Sequence, residues 1–493
     1  MLEARVHEQL KRLLRQDGRP LWAHHLSLSR LVARSLRRHD VTLISIVPGS
    51  EPGWRLSALL PCCLAGEAVA LVVSRQLHQR FQLVELPRLH RAGIATPLWE
   101  GENCPQDIPL WLLKPEELVR AYQAGQLHKR QLVVLDSGQL EKELQAAMGV
   151  TLEPRDWNRL QQAYPPLAQA VASCFDRLNQ QVFAHPANPL GRVPISAAAE
   201  APLRQLLGDH GPMPDPWRRW LHARGPWVSW AEVDYRLLRW RWRRQPLDPL
   251  RLLQPLLAAR GMILCGSPGP GKTLEASLGN RPMVRVKLGD PPLQDPLPLY
   301  APRRQPLPNA LVFPRHLSDQ CCRLILARSG LTAVLLDDVP LRQALTSALA
   351  AEFGSRVVHE CRTPGEHGVL CASWGWWQEH HHQLPLPRQL VIGSLPLLSL
   401  EDPITAARVR HWRQQGRDWF RELLLPDALA TLQHVVACLR GQWDTRLAIL
   451  DGRIHCRSWG QLVLDELQPW VSVSRLLPDE NRGLNPSINP PSQ

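Results

Sequence analysis

The sequence predicts an α/β fold, with two tandem parallel-sheet domains and a mostly helical insertion in the first. Three observations carry this. Continuous apolar runs of strand length alternate with helical stretches from about residue 20 to 150. The alternation stops from 155 to 225, where the chain is Pro-rich and shows no strand period. It returns from 255 onward. Strands that are apolar at every position, separated by helices, belong to parallel sheets covered on both faces.

The elements follow in order. "MLEARVHEQLKRLLRQ" places Leu2, Val6, Leu10, Leu13 and Leu14 at helical spacing among charges. "VTLISIV" (41–47), "AVALVVS" (68–74), "IPLWLL" (108–113) and "QLVVLD" (131–136) are buried strands, with helices such as "RLSALLPCCL" and "PEELVRAYQAG" between them. After the break, "GMILC", "MVRVKLG", "TAVLLDD" (332–338), "SRVVHE", "HGVLCAS", "RQLVIGS" (388–394) and "TRLAILDG" (445–452) supply further strands. The expected domains are 1–150 completed by 251–300, an Arg- and Trp-rich insertion at 151–250, and a second domain at 301–470. The polar, Pro-rich end, 471–493, is expected to be disordered.

Composition narrows the function classes. No apolar run approaches the ~18 residues of a membrane span, and the N-terminus lacks the apolar core of a signal peptide. The expectation is a cytoplasmic protein without a membrane partner. Net charge is +13, and only six of the 58 basic residues are Lys. Arg forks suit phosphate, so the excess favours a polyanion, against the plainer alternative of Arg scattered over a solvated surface. Eleven cysteines occur without a C-x-x-C, which argues against zinc ribbons and disulfide frameworks. In "EHHHQ" adjacent histidines point in different directions, so no metal site is expected there.

"GSPGPGKT", Gly266 to Thr273, matches the phosphate-loop pattern G-x-x-x-x-G-K-[ST]. In such loops, glycines let backbone N–H groups wrap phosphates, Lys reaches the β/γ oxygens and Ser/Thr holds Mg²⁺. Gly266, Gly269, Gly271, Lys272 and Thr273 are therefore candidate ATP and Mg²⁺ residues, with Asp337 or Asp338 available as a second acidic motif. Against this, "TLEASLG" offers only about two helical turns before "NRP" breaks it. A functional loop and an incidental Gly/Pro turn both remain open.

From Arg388 to Pro469 the chain resembles the C-terminal RecA-like domain of DinG/XPD-type superfamily-two DNA helicases. The carrying stretches are "LPLLSLEDPITAARV", "DWFRELLLPDALATLQHVVACLR" and "LAILDGRIHCRSWGQLVLDELQP". The resemblance implies two RecA-like domains, ATP and Mg²⁺ as cofactors, and DNA as partner. Extended backwards, it sets "GSPGPGKT" on the family's third motif and "VPGSEPGWRLSALLPCCL" on its phosphate loop. There Gly53 is kept, but Trp54 stands where Lys belongs and Arg55 where Thr belongs. In "LDSGQLEKEL" Asp136 is kept and Ser137 replaces the Glu that would activate water. "WWQEHH" (376–381) loses a Gly and an Asp of the family pattern. Gln433 and Arg440 remain from the last motif, with Ala437 in place of its inner Arg.

Asp136, Gln433 and Arg440 are thus the catalytic candidates. The resemblance implies that they face one cleft, with Gly53 and Lys272 on its other rim. The four cysteines of the family's iron–sulfur cluster are missing, with only Cys104 in a comparable place, so no cluster is expected. The combined expectation is a helicase-like protein that binds nucleic acid and, through a degenerate site, ATP. An inactive binding protein and a phosphate-loop ATPase of another class stand as alternatives.

The partner expected is single-stranded DNA, and "RWRWRR" is the candidate surface. Period-two alternation puts Trp240 and Trp242 on one strand face and Arg239, Arg241 and Arg243 on the other. The rings would stack on bases and the guanidinium groups would engage phosphates. The competing arrangement has the Trp face packed on a core and the Arg face in water.

Overall fold

The computed structural model describes residues 1–16, 22–47, 50, 53–127, 129–186, 188–208, 213–223, 225–252, 254–258, 261–267, 282–289, 296–440, 442, 444–474 and 476. Contacts divide the chain into two units. One comprises Met1–Pro291 and Leu398–Ala430, the other Pro292–Leu397 and Thr431–Gln493.

The strands of the first unit begin with β1 (Val41–Ile46), β2 (Val69–Val72), β3 (Leu98–Glu100), β4 (Leu110–Leu113) and β5 (Gln131–Leu135). They continue through β6 (Val150–Leu152), β7 (Arg192–Ile195), β8 (Trp227–Asp234) and β9 (Arg239–Pro246) to β10 (Met262–Gly266) and β11 (Met283–Leu288). Seven of them form one sheet in the order β11-β1-β10-β5-β2-β4-β3. Every pairing in it is parallel. β2, β4, β5 and β10 are buried at every position, as continuous apolar runs require when helices cover both faces. Helix Trp54–Leu64 is apolar on nearly all sides and correspondingly buried. Helix Leu2–Gln16 instead buries one stripe, Val6, Leu10, Leu13 and Leu14.

The insertion departs from the mostly helical expectation. β6 to β9 form a four-stranded antiparallel sheet in the order β6-β9-β8-β7. Helices Pro154–Ala163, Ala168–Ala184, Ala197–Gly208 and Asp215–His222 accompany it. β7 is only four residues long, Arg192–Ile195, too short to register as a period in sequence.

The second unit holds β12 (Leu297–Tyr300), β13 (Thr332–Leu335), β14 (Val357–His359), β15 (Val369–Ala372), β16 (Gln389–Ile392), β17 (Arg446–Ile449) and β18 (Trp470–Ser472). Their order is β14-β15-β13-β16-β17-β12-β18, and all pairings are parallel. Two expected boundaries move. β12, assigned from sequence to the first domain, pairs with β17 and β18 of the second sheet. The stretch Leu398–Ala430, assigned to the second domain, belongs to the first unit. It is fastened there by ion pairs Arg192–Asp402 and Arg408–Glu141. Most of the C-terminal stretch expected to be disordered, 477–493, lies outside the described residues.

Candidate functional site

Parallel strands deliver the residues that follow them to a single sheet edge, where ligands of such folds bind. In the first unit, β10 lies between β1 and β5, with Ser45 opposite Gly266 and Cys265 opposite Leu135. β1 therefore leads towards Gly53 and helix Trp54–Leu64, β5 ends at Asp136, and β10 ends at Gly266. A strand, a glycine and a helix in that sequence make the phosphate-loop arrangement. It is built on β1, and "GSPGPGKT" follows the neighbouring strand instead.

Asp136 sits at the focus of this edge. Its backbone is left-handed, at φ 63°, a conformation that Asp tolerates better than most side chains. Arg55 Nη2 lies 3.6 Å from Asp136 Oδ1. Ser74, at the end of β2, donates from Oγ to Asp136 Oδ2 over 3.5 Å. Gly266 packs directly against this turn, since a Cβ there would lie 2.8 Å from Ser137 N and 2.9 Å from Asp136 Cα. Only a glycine permits that approach.

The neighbouring side chains define the site's electrostatics. Trp54 is 5% exposed and packed in the core. The Arg55 guanidinium lies 5.4 Å from the centre of its ring, and Arg55 Nε is buried without a hydrogen-bond partner among the described residues. Burial raises the Cys265 thiol far above its usual range, so it is a neutral apolar neighbour. Glu143 is pushed up to about 7, mainly by burial and then by the charges of Asp136 and Glu116. Ser137, where the resemblance expected Glu, is buried.

Gly269, Gly271, Lys272 and Thr273 lie outside the described residues, as therefore does the Gly53–Lys272 distance. Gln433 and Arg440 are in the second unit. Gln433 donates from Nε2 to Glu466 Oε1. Arg440 donates to the carbonyls of Leu467 at 2.6 Å, Gln468 at 3.2 Å and Pro469 at 3.4 Å. Burial draws its pKa below the ordinary arginine value. A further pair, unremarked as a site in the sequence, anchors the end of β17. Asp451 is fully buried and accepts from Leu395 N at 2.8 Å and from the Arg453 guanidinium at 2.5 Å.

The Arg–Trp strand is β9, and its faces point opposite to the stacking arrangement. Trp240 and Trp242 are 4% and 1% exposed, so neither ring is available to a base. They belong to a core with Trp157, Trp217 and Trp220. Trp220 meets Trp242 edge-on at 5.1 Å, and Phe175 stacks on Trp240 at 5.7 Å. Aromatic burial outweighs ligand stacking here because each ring removes a large apolar area from water. The Arg face is the outer one. Arg239 and Arg241 are exposed, while Arg241 and Arg243 share Glu232 at 3.6 and 3.1 Å. Arg244 turns inward, donating to the Trp220 carbonyl at 2.6 Å. It lies 5.5 Å from both the Trp220 and Trp227 rings.

Comparison with known proteins places this architecture. No family model matches the chain. ATP-dependent DNA helicase YoaA of Escherichia coli is 34% identical over 103 residues, which is 20% of this chain and 16% of that protein. The 3'-5' exonuclease DinG of Bacillus subtilis is 36% identical over 93 residues, 18% of this chain and 10% of that protein. The match thus spans less than a fifth of either relative's length. Among solved structures, Xpd4 of S. tokodaii superposes with a TM-score of 0.60 at 11% identity, covering 89% of this chain and 97% of that one. An apo XPD superposes with a TM-score of 0.62 at 13% identity, covering 91% and 99%. The chain thus shares the fold of the XPD structures over about nine-tenths of its length, and about a fifth of it is similar in sequence to the DNA helicase YoaA and to DinG.

Proposed function

We propose that the protein binds nucleic acid, single-stranded DNA in particular, on a helicase fold whose nucleotide site has lost most of its capacity for ATP hydrolysis. One observation carries this reading: the Arg55 guanidinium lies 3.6 Å from Asp136. In a nucleotide site of this kind the acidic residue is left to the metal, and a Lys from the loop meets the phosphates. Here a cation of the chain itself occupies the carboxylate, and the side chain at the Lys position is a buried tryptophan. These residues do not fit Mg·ATP held in the family manner.

Magnitudes support the same reading. A single preorganised charge-stabilising donor is worth roughly 10²–10³ in rate, and an arginine finger roughly 10³–10⁵. The chain replaces the loop Lys by Trp54, the water-activating Glu by Ser137 and the inner Arg by Ala437. The basic excess of +13 favours a polyanionic partner, and the relatives named as DNA helicases supply the kind. Cytoplasmic location is part of the proposal.

A second reading is favoured by the position of Gly266. Gly266, the first residue of "GSPGPGKT", is in contact with the Asp136 turn, so a phosphate held at Gly266 would lie at the same sheet edge. One experiment separates the two. ATP hydrolysis is measured with and without single-stranded DNA for the parent and for Lys272→Ala. The first reading predicts no DNA-stimulated hydrolysis in either protein. Stimulated turnover abolished by Lys272→Ala would establish the second.

A further inference from the structure

The hairpin joining β8 and β9 ends in an apolar tip. Asp234 pairs with Arg239 across its base, leaving Tyr235, Arg236, Leu237 and Leu238 as the loop. Leu237 and Leu238 are 63% and 71% exposed, and Tyr235 is also exposed. The tip is held in shape: Asp234 Oδ1 accepts from Arg236 N at 3.0 Å and from Leu237 N at 3.1 Å. Leu238 stands at φ 49°, in the left-handed region where a leucine is disfavoured and Asn or Gly is the usual occupant. An aliphatic side chain kept in water on a disfavoured backbone is costly twice over, and such residues concentrate at functional positions.

The surroundings select the partner. Arg236, Arg239 and Arg241 are all exposed on or beside this ribbon, so cations flank the apolar tip. Proteins that deform nucleic acid use this combination, with an aliphatic wedge entering a base step while arginines hold the adjoining phosphates. A neutral lipid or an apolar protein surface would satisfy the leucines alone, whereas a nucleic acid, with apolar base faces between its phosphates, satisfies both sets of residues. We propose that the tip Tyr235–Leu238 is a nucleic-acid wedge: Leu237 and Leu238 enter a base step, and Arg239 and Arg241 hold the flanking phosphates. This rests on the nucleic-acid reading and adds to it a local disruption of base stacking.

The test uses the full chain and a forked DNA duplex with 2-aminopurine at the first paired position of the junction. Binding is followed in parallel by anisotropy of a labelled single strand. The parent should bind and raise the 2-aminopurine emission. Leu237→Ser with Leu238→Asn should keep affinity within about threefold, because phosphate contacts carry most of it, and should lose the rise. Asn suits the left-handed position, so this variant should fold. Leu237→Met with Leu238→Met keeps the apolar tip and should keep the rise. A full rise in the Ser/Asn variant, or binding by the parent without any rise, would overturn the wedge and leave nucleic-acid binding standing. Failure of the parent to bind in the anisotropy arm would remove both. A parent that is a dimer in sedimentation, and monomeric as the Ser/Asn variant, would reassign the tip to self-association.

Discussion

At Asp136 a guanidinium and a serine hydroxyl meet one carboxylate on a left-handed turn. Both side chains of the Arg55–Asp136 pair are partly sheltered, with 27% and 22% exposure. Arg55→Ala should therefore lower stability by about 1 kcal/mol, readable as a small fall in Tm. Glu143 makes a prediction of opposite sign to most carboxylates. Its folded pKa, about 7, lies above the ordinary 4.5, so the folded state holds a proton that the unfolded state releases between those values. Stability from this group is present below pH 4.5 and lost as pH rises through 7. Glu143→Gln should flatten that slope and raise Tm at pH 8 relative to the parent. An unchanged profile would show that Glu143 is solvated. The contacts themselves were not legible in sequence, because Arg55, Ser74 and Asp136 meet only through the order of β1, β2 and β5 in the sheet.

β9 shows how far a pattern reaches. The alternation in "RWRWRR" gave the strand and its two faces, but period two does not say which face is inside. The packing of four helices over the antiparallel sheet settles that, and it buries the rings. Trp242→Ala should then cost about 3–5 kcal/mol, as for other large aromatic truncations in a core, and chemical denaturation would measure it. Replacing Arg239, Arg241 and Arg243 together by Ala should leave the fold intact. It should also reduce the slope of log affinity against log salt by up to about two, at ~0.7 per phosphate on a single strand. An unchanged slope in a folded variant would take this ribbon off the binding surface. Long apolar strands such as "QLVVLD" and "TAVLLDD" were readable because burial on both faces leaves an unbroken run. β3 and β18, at three residues each, carry too short a pattern to stand alone, whereas the equally short β14 was readable from the Val pair in "SRVVHE".

Across the whole molecule, the two parallel sheets were legible and the path of the chain between them was not. Leu398–Ala430 joins the first unit through Arg192–Asp402 and Arg408–Glu141, contacts between residues hundreds of positions apart that no local pattern encodes. The site divides in the same way. Sequence gave the motif positions, including Gly53 and Asp136, whereas the Arg55–Asp136 pair needed the fold. The central claim, nucleic-acid binding without nucleotide-driven turnover, has one most direct test: anisotropy titration of the full chain against labelled single-stranded DNA across a salt series, with and without Mg·ATP. Binding should be tight at low salt, fall steeply as salt rises, and give superimposable curves with and without Mg·ATP. Absence of binding at low salt, or release of the strand on adding Mg·ATP, would contradict it.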